Sequence, residues 1–178
     1  MENAMMIELD RSLKGKILDI GGGGEGVIGR IYRQQVIAID NRQEELDEAP
    51  DVCAKMLMDA TALRFGECEF DHVTAFYSMM YMTGEEQRGA IQEASRVLKP
   101  GGCLHIWDAV IRCAYPDPFV ASLDIDADGT LLHTAYGVVK KDSQDMELFV
   151  DLCREAGMTL VKKAIASDQF YLLFCKAA

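Results

Sequence analysis

The chain has 178 residues, with 29 acidic against 18 basic side chains and a formal net charge of −11. That length suits a single domain over residues 1–178 with a sizeable core. The acidic balance opposes phosphate-backbone binding, so no nucleic-acid partner is expected.

No run approaches the roughly 18 apolar residues that would cross a bilayer, so no membrane partner is expected. The opening stretch MENAMMIELDRSL lacks the basic region and apolar core of a secretory signal. The six cysteines (53, 68, 103, 113, 153, 175) contain no C-x-x-C pair and no Cys/His cluster with zinc spacing, so no metal site is expected. Reduced thiols in a cytoplasmic protein are the expectation, with Cys103 and Cys175 packed as small apolar groups inside strands.

In chain order, residues 5–13 are expected to form a helical turn or two. Residues 16–20 (KILDI) then read as a short buried strand. Five of the next six residues, 21–26, are glycine, which tolerates positive φ and lets backbone approach a ligand closely. Val27, Ile28, Ile31 and Tyr32 repeat with helical spacing, and residues 36–39 form a second apolar run ending in Asp40. Strand, glycine loop, helix, strand and acid make the first unit of a doubly wound sheet, with a nucleotide site at the strand's carboxyl end.

Two cofactor classes use such a unit. Gly21, Gly23 and Gly26 satisfy G-x-G-x-x-G, and Asp40 stands where a dinucleotide's ribose would be held. Asp19 argues against a dinucleotide, because its charge would repel a pyrophosphate and welcome a cationic cofactor instead. The stretch from Leu18 to Gly23 (LDIGGG) resembles motif I of the class I S-adenosylmethionine (SAM)-dependent methyltransferases, whose pattern is acid-x-G-x-G-x-G. Glu25 occupies the last glycine position here, and Gly26 follows it.

Further along, residues 42–49 favour helix and Pro50 stops it. Residues 55–59 (KMLMD) read as a third strand, and 71–77 (DHVTAFY) as a fourth. The latter resembles the family's FDxV segment. Tyr77 and Ser78 stand where that strand opens, whereas Met79 and Met80 read as core fillers. Thr83 and Glu86 form a capping box for a helix that runs into RVLKPGG (96–102), a segment resembling the lead into the family's fifth strand.

Residues 109–141 depart from the family pattern. Residues 119–126 and 130–139 alternate like strands around Ala127-Asp128-Gly129, which predicts a β-hairpin. Asp124, Asp126 and Asp128 mimic the start of a calcium loop, but Ala135 stands where the bidentate glutamate belongs, so the hairpin is preferred. Asp142 or Ser143 is expected to cap a last helix, inward at Leu148, Leu152, Cys153 and Ala156. Two final strands, 158–166 and 170–176, then pair antiparallel.

The resemblance implies an α/β, three-layer Rossmann-like methyltransferase fold. Its mostly parallel seven-stranded sheet would have a reversed last strand, plus an inserted β-hairpin after strand five. It implies SAM as cofactor, with Asp19, Gly21, Gly22 and Gly23 holding the methionine portion and Asp40 the ribose. Asn41 and Arg42 would lie beside the adenine, Asp59 and Ala60 would meet its edge, and Tyr77 would line the pocket. The implied partner is a small-molecule methyl acceptor. No residue declares itself a base, though Asp108, Tyr77, Tyr115 and His133 are candidates. The hairpin is expected to roof the substrate pocket or to pair with its copy in a homodimer. A catalytically silent SAM-binding protein and an NAD-binding oxidoreductase are the alternatives.

Overall fold

The computed structural model describes residues 5–9, 11–112, 115–127 and 129–178. Its strands are β1 (Met5–Glu8), β2 (Ile17–Ile20), β3 (Val36–Asp40), β4 (Ala54–Leu57), β5 (Phe70–Phe76), β6 (Leu98–Ala109), β7 (Phe119–Ala127), β8 (Thr130–Val138), β9 (Met158–Ala166) and β10 (Gln169–Lys176). The helices are α1 (Val27–Tyr32), α2 (Gln43–Glu48), α3 (Gly84–Val97) and α4 (Met146–Glu155).

Seven strands form one sheet in the order β4-β3-β2-β5-β6-β10-β9. β10 runs antiparallel to both β6 and β9, whereas the other neighbouring pairs are parallel. The reversed last strand follows from connection length, because β9 and β10 are separated by two residues and can pair only as a hairpin.

The central strands β2 and β5 are buried on both faces, whereas the edge strands β4 and β9 are largely exposed. Leu18 and Ile20, Val73 and Ala75, Leu104 and Ile106, and Phe170, Leu172 and Phe174 pack with α3 and α4 into one core. Ile17, Val36, Ala38, Phe76 and Ala109 turn to the other face, where Val27, Ile28 and Tyr32 of α1 meet Ala121, Leu123 and Ile125 of β7. The third layer is therefore part helix and part sheet.

Local signals explain the element ends. Thr83 and Glu86 close the capping box on α3, which stops at Val97 because Lys99 precedes Pro100 and is pushed out of the helical region. β6 pairs Leu98 with Phe70, then shifts register past Pro100 before Cys103 meets His72. RVLKPGG thus ends in a bulge within one strand rather than in a turn.

Four expectations are corrected. Residues 5–8 form a strand, not helical turns, because β1 pairs in parallel with β7 from Met5 opposite Leu123 to Glu8 opposite Asp126. That makes a second sheet, β1-β7-β8. Asp145, rather than Asp142 or Ser143, caps α4, accepting from the Leu148 amide at 2.9 Å. Phe149 and Val150 join Leu152 and Cys153 in its buried face, while Leu148 and Ala156 are only partly buried. Cys103 and Cys175 are bridged by a disulfide, not packed as free thiols, since the β6–β10 register sets them directly opposite one another. Cysteine usage consequently gives no support to a reducing compartment. No described helix is long and apolar enough to cross a membrane. Asp128, the tip of the calcium-like stretch, lies outside the described residues.

Candidate functional site

At the carboxyl ends of β2, β3 and β5 the chain encloses a cavity of about 570 Å³, within the size range of small-molecule sites. Asp19, Gly21, Gly22, Gly23, Asp40, Asn41, Asp59, Ala60 and Tyr77 all line it, as do Arg42 and Ser78. Four separate chain segments supply these nine predicted residues, and the parallel sheet brings them together.

The glycine loop is shaped by close contacts. Gly21 has φ +70°, and a Cβ there would stand 2.3 Å from that of Ser78, whose hydroxyl donates to the Ile20 carbonyl at 2.7 Å. Gly21 and Gly22 both donate backbone N–H to the Ile39 carbonyl, at 2.9 and 3.0 Å, which locks the loop to the end of β3. A Cβ at Gly22 would lie 2.5 Å from the Asp19 carboxylate. Only glycine lets the loop settle this close to the acid.

Asp19 is 2% exposed yet lines the cavity. It accepts from the Thr74 hydroxyl at 2.7 Å. Burial, helped by the nearby Asp40, raises its pKa from 3.8 to about 7, against the opposing pull of Thr74. A cation bound in the cavity would relieve that penalty.

The donor set suits an adenosyl cofactor. Asp40 accepts from the Arg42 amide at 3.0 Å through Oδ1. Asp59 accepts from the Thr61 amide and hydroxyl, each at 2.8 Å, also through Oδ1. No described residue bonds the second oxygen of either carboxylate, so each keeps an acceptor for hydroxyls or an amine.

The chemistry-bearing candidates separate clearly. Tyr77 lines the cavity; its hydroxyl donates to the Gln169 side-chain carbonyl, and burial raises its pKa. Asp108 is buried outside the lining, accepting from the Met80 and Ala109 amides and from Gln144 at 3.1, 2.8 and 2.8 Å. Its pKa is raised to about 7 by burial, and its geometry is that of a clamp beneath the site. His133 is exposed and pairs with Asp124. Tyr115 is 57% exposed with Lys141 over its ring. Met79 and Met80 are fully buried.

Sequence reasoning missed Glu25, Glu45 and Glu86 as lining groups, whereas Tyr81 and Met82 follow the strand that opens at Tyr77, and Tyr136 belongs to the hairpin expected to roof the pocket. Glu25 carried a signal, since it replaces the last motif glycine. Tyr136 stacks on Tyr77 with ring centroids 5.3 Å apart and planes 9° apart. Together with Ala135 and Gly137 it brings β8 into the cavity wall. The inserted hairpin therefore lies on the glycine-loop side of the molecule.

Known proteins carry the same pattern. Residues 18–106, half of the chain, match the family model described as Methyltransferase domain. Methyltransferase GfsG of Streptomyces halstedii is 27% identical over 181 residues, covering 95% of this chain. The chain spans 62% of that relative's length. Among solved structures, a protein from Pyrococcus horikoshii superposes with a TM-score of 0.68 at 15% identity, covering 92% of this chain and 84% of that one. An S-adenosylmethionine-dependent methyltransferase from Mesorhizobium loti gives 0.65 at 14% identity, covering 90% of each chain. The motif order, the reversed last strand and the family match together show that this chain belongs to the methyltransferase-domain family whose cofactor is S-adenosylmethionine.

Proposed function

We propose that the chain transfers a methyl group from SAM to a small-molecule acceptor that carries no negative charge. The observation that carries this reading is the convergence of the nine motif residues on one roofed cavity. Bound there, the cofactor supplies a methyl carbon already activated by its sulfonium. The protein's task is then chiefly to position and desolvate, an effect worth up to about 7–11 kcal/mol in favourable cases.

On this reading Asp19 faces the cationic tail, Asp40 accepts from the ribose hydroxyls, and Asp59 accepts from the adenine amine. Tyr77 is a positioning group rather than a base, because its hydroxyl already donates to Gln169 and burial disfavours its ionisation. The acceptor's charge is constrained by the wall. Beyond the three acids assigned to the cofactor, Glu25, Glu45 and Glu86 also line it, against Arg42, which itself pairs with Glu45 at 3.1 Å. An anion entering that field would meet repulsion in a partly desolvated space. A second copy is a further proposed partner, joined through the outer edge of β8, where Leu131 is 49% exposed.

The test is calorimetry with S-adenosylhomocysteine, followed by a mass-spectrometric screen of neutral, cationic and anionic acceptors with SAM. Methylation confined to neutral or cationic compounds is expected. Cofactor binding with no product from any of them would make the chain a silent binding protein.

A further inference from the structure

We propose that Glu25 is a positioning residue that latches the hairpin roof onto the cofactor loop and so sets how long a bound cofactor stays. The proposal rests on reading the cavity as the cofactor site. Glu25 sits between Gly24 and Gly26, whose φ values of +58° and +57° place both in the left-handed region. Two such residues around one side chain turn the loop's tip outward. The Arg30 guanidinium fixes the tip by donating to the Glu25 carbonyl at 2.7 Å.

The Glu25 carboxylate then accepts from the hydroxyls of Thr134 and Tyr136 on β8, more than a hundred residues away in sequence; the Tyr136 bond measures 3.3 Å. A glycine at this position has no side chain to make either bond. The latch matters because β8 is the edge strand of its sheet and less deeply buried than β7. β7 buries Ala121, Leu123, Ile125 and Ala127, but no residue of β8 is fully buried. Its anchors include the β7 ladder, the packing of Leu132, Tyr136 and Val138 on the core beneath, the contacts of Tyr136 with Tyr77 and Phe76, and Glu25.

Glu25, Tyr77 and Tyr136 line the same cavity. Releasing the latch would therefore raise the roof directly over the cofactor. Charge-assisted hydrogen bonds of this kind set the scale at about tenfold or more.

The experiment compares wild type with Glu25→Ala, Glu25→Gln and the double variant Thr134→Val/Tyr136→Phe. Amide hydrogen exchange of the unliganded protein reports the roof, and stopped-flow displacement of S-adenosylhomocysteine reports residence. We expect Glu25→Ala to speed exchange across 130–138 by about tenfold, leaving β2, β5 and β6 unchanged, and to raise the off-rate similarly. Glu25→Gln, which keeps a side-chain acceptor, should fall between. The double variant should match Glu25→Ala, and adding Glu25→Ala to it should do nothing more. Unchanged exchange across 130–138 in Glu25→Ala overturns the latch, as does faster exchange with an unchanged off-rate. Failure of wild type to bind S-adenosylhomocysteine, with the exchange effect intact, would instead remove the cofactor reading and the residence claim while leaving the contact.

Discussion

Replacing Asp19 by Asn should stabilise the unliganded protein and weaken its hold on the cofactor. Asp19 is 2% exposed and its pKa is raised from 3.8 to about 7, chiefly by burial. The sign follows from proton uptake. The folded state holds a proton that the unfolded chain has released, so the penalty is absent below about pH 4, grows as pH rises, and is complete above about pH 7. The gap between 3.8 and about 7 corresponds to at most about 4 kcal/mol, at about 1.36 kcal/mol per pH unit. Water in the adjoining cavity screens part of that, so a gain of about 2 kcal/mol is expected from Asp19→Asn at pH 8. For a chain of this size that raises Tm by about 4–8 °C. At pH 4 the two proteins should unfold together, since Thr74 can donate to an amide oxygen as it does to the carboxyl. Cofactor affinity should move the other way, falling at least about tenfold with loss of the charge. In wild type that affinity should rise with pH up to about 7 and then level, because binding a cation expels the Asp19 proton. Thermal unfolding at the two pH values and calorimetry with SAM make the check. Equal Tm values at pH 8 together with unchanged affinity would falsify the role given to Asp19.

Other outcomes follow from the same geometry. Asp40→Ala should weaken S-adenosylhomocysteine binding at least about tenfold with an unchanged unfolding midpoint, because this strand-end acid contributes little to the core; calorimetry and urea titration decide. Gln144→Ala should cost about 2–4 kcal/mol in urea unfolding, since Gln144 is buried and links Asp108, the Ala109 carbonyl and Gln87 at 2.8, 3.0 and 2.8 Å. Peptide mapping without reductant should recover Cys103 joined to Cys175, and Cys103→Ser should lower stability by about 2–4 kcal/mol under oxidising conditions but not with reductant present. Mapping that finds both thiols free would remove the bridge.

What could be read in the sequence was what is local in the chain. The strand, glycine loop and helix from 16 to 32 are adjacent in sequence, and glycine and branched residues declare their geometry directly. The hairpin announced itself by alternation on both sides of a D-G turn. The reversed β10 followed from connection length alone. The misreadings are contacts between distant segments. β1 became a strand because β7, more than a hundred residues later, offers it a parallel edge. The bridge between Cys103 and Cys175 depends on the β6–β10 register, which neither cysteine's spacing encodes. Asp145 wins the cap of α4 because the Ile111–Gln144 pairing holds the chain extended up to that residue. Tyr136 entered the cavity wall only because β8 folds back over the glycine loop. Glu25 was visible as an exception to the motif, but its partners were not.

Calorimetric titration of the unmodified protein with S-adenosylhomocysteine and, separately, with NAD tests the central claim most directly. One equivalent of S-adenosylhomocysteine should bind, and NAD should give no heat beyond dilution, because Asp19 lies under the loop where a pyrophosphate would rest. Saturable NAD binding with no response to S-adenosylhomocysteine would contradict it.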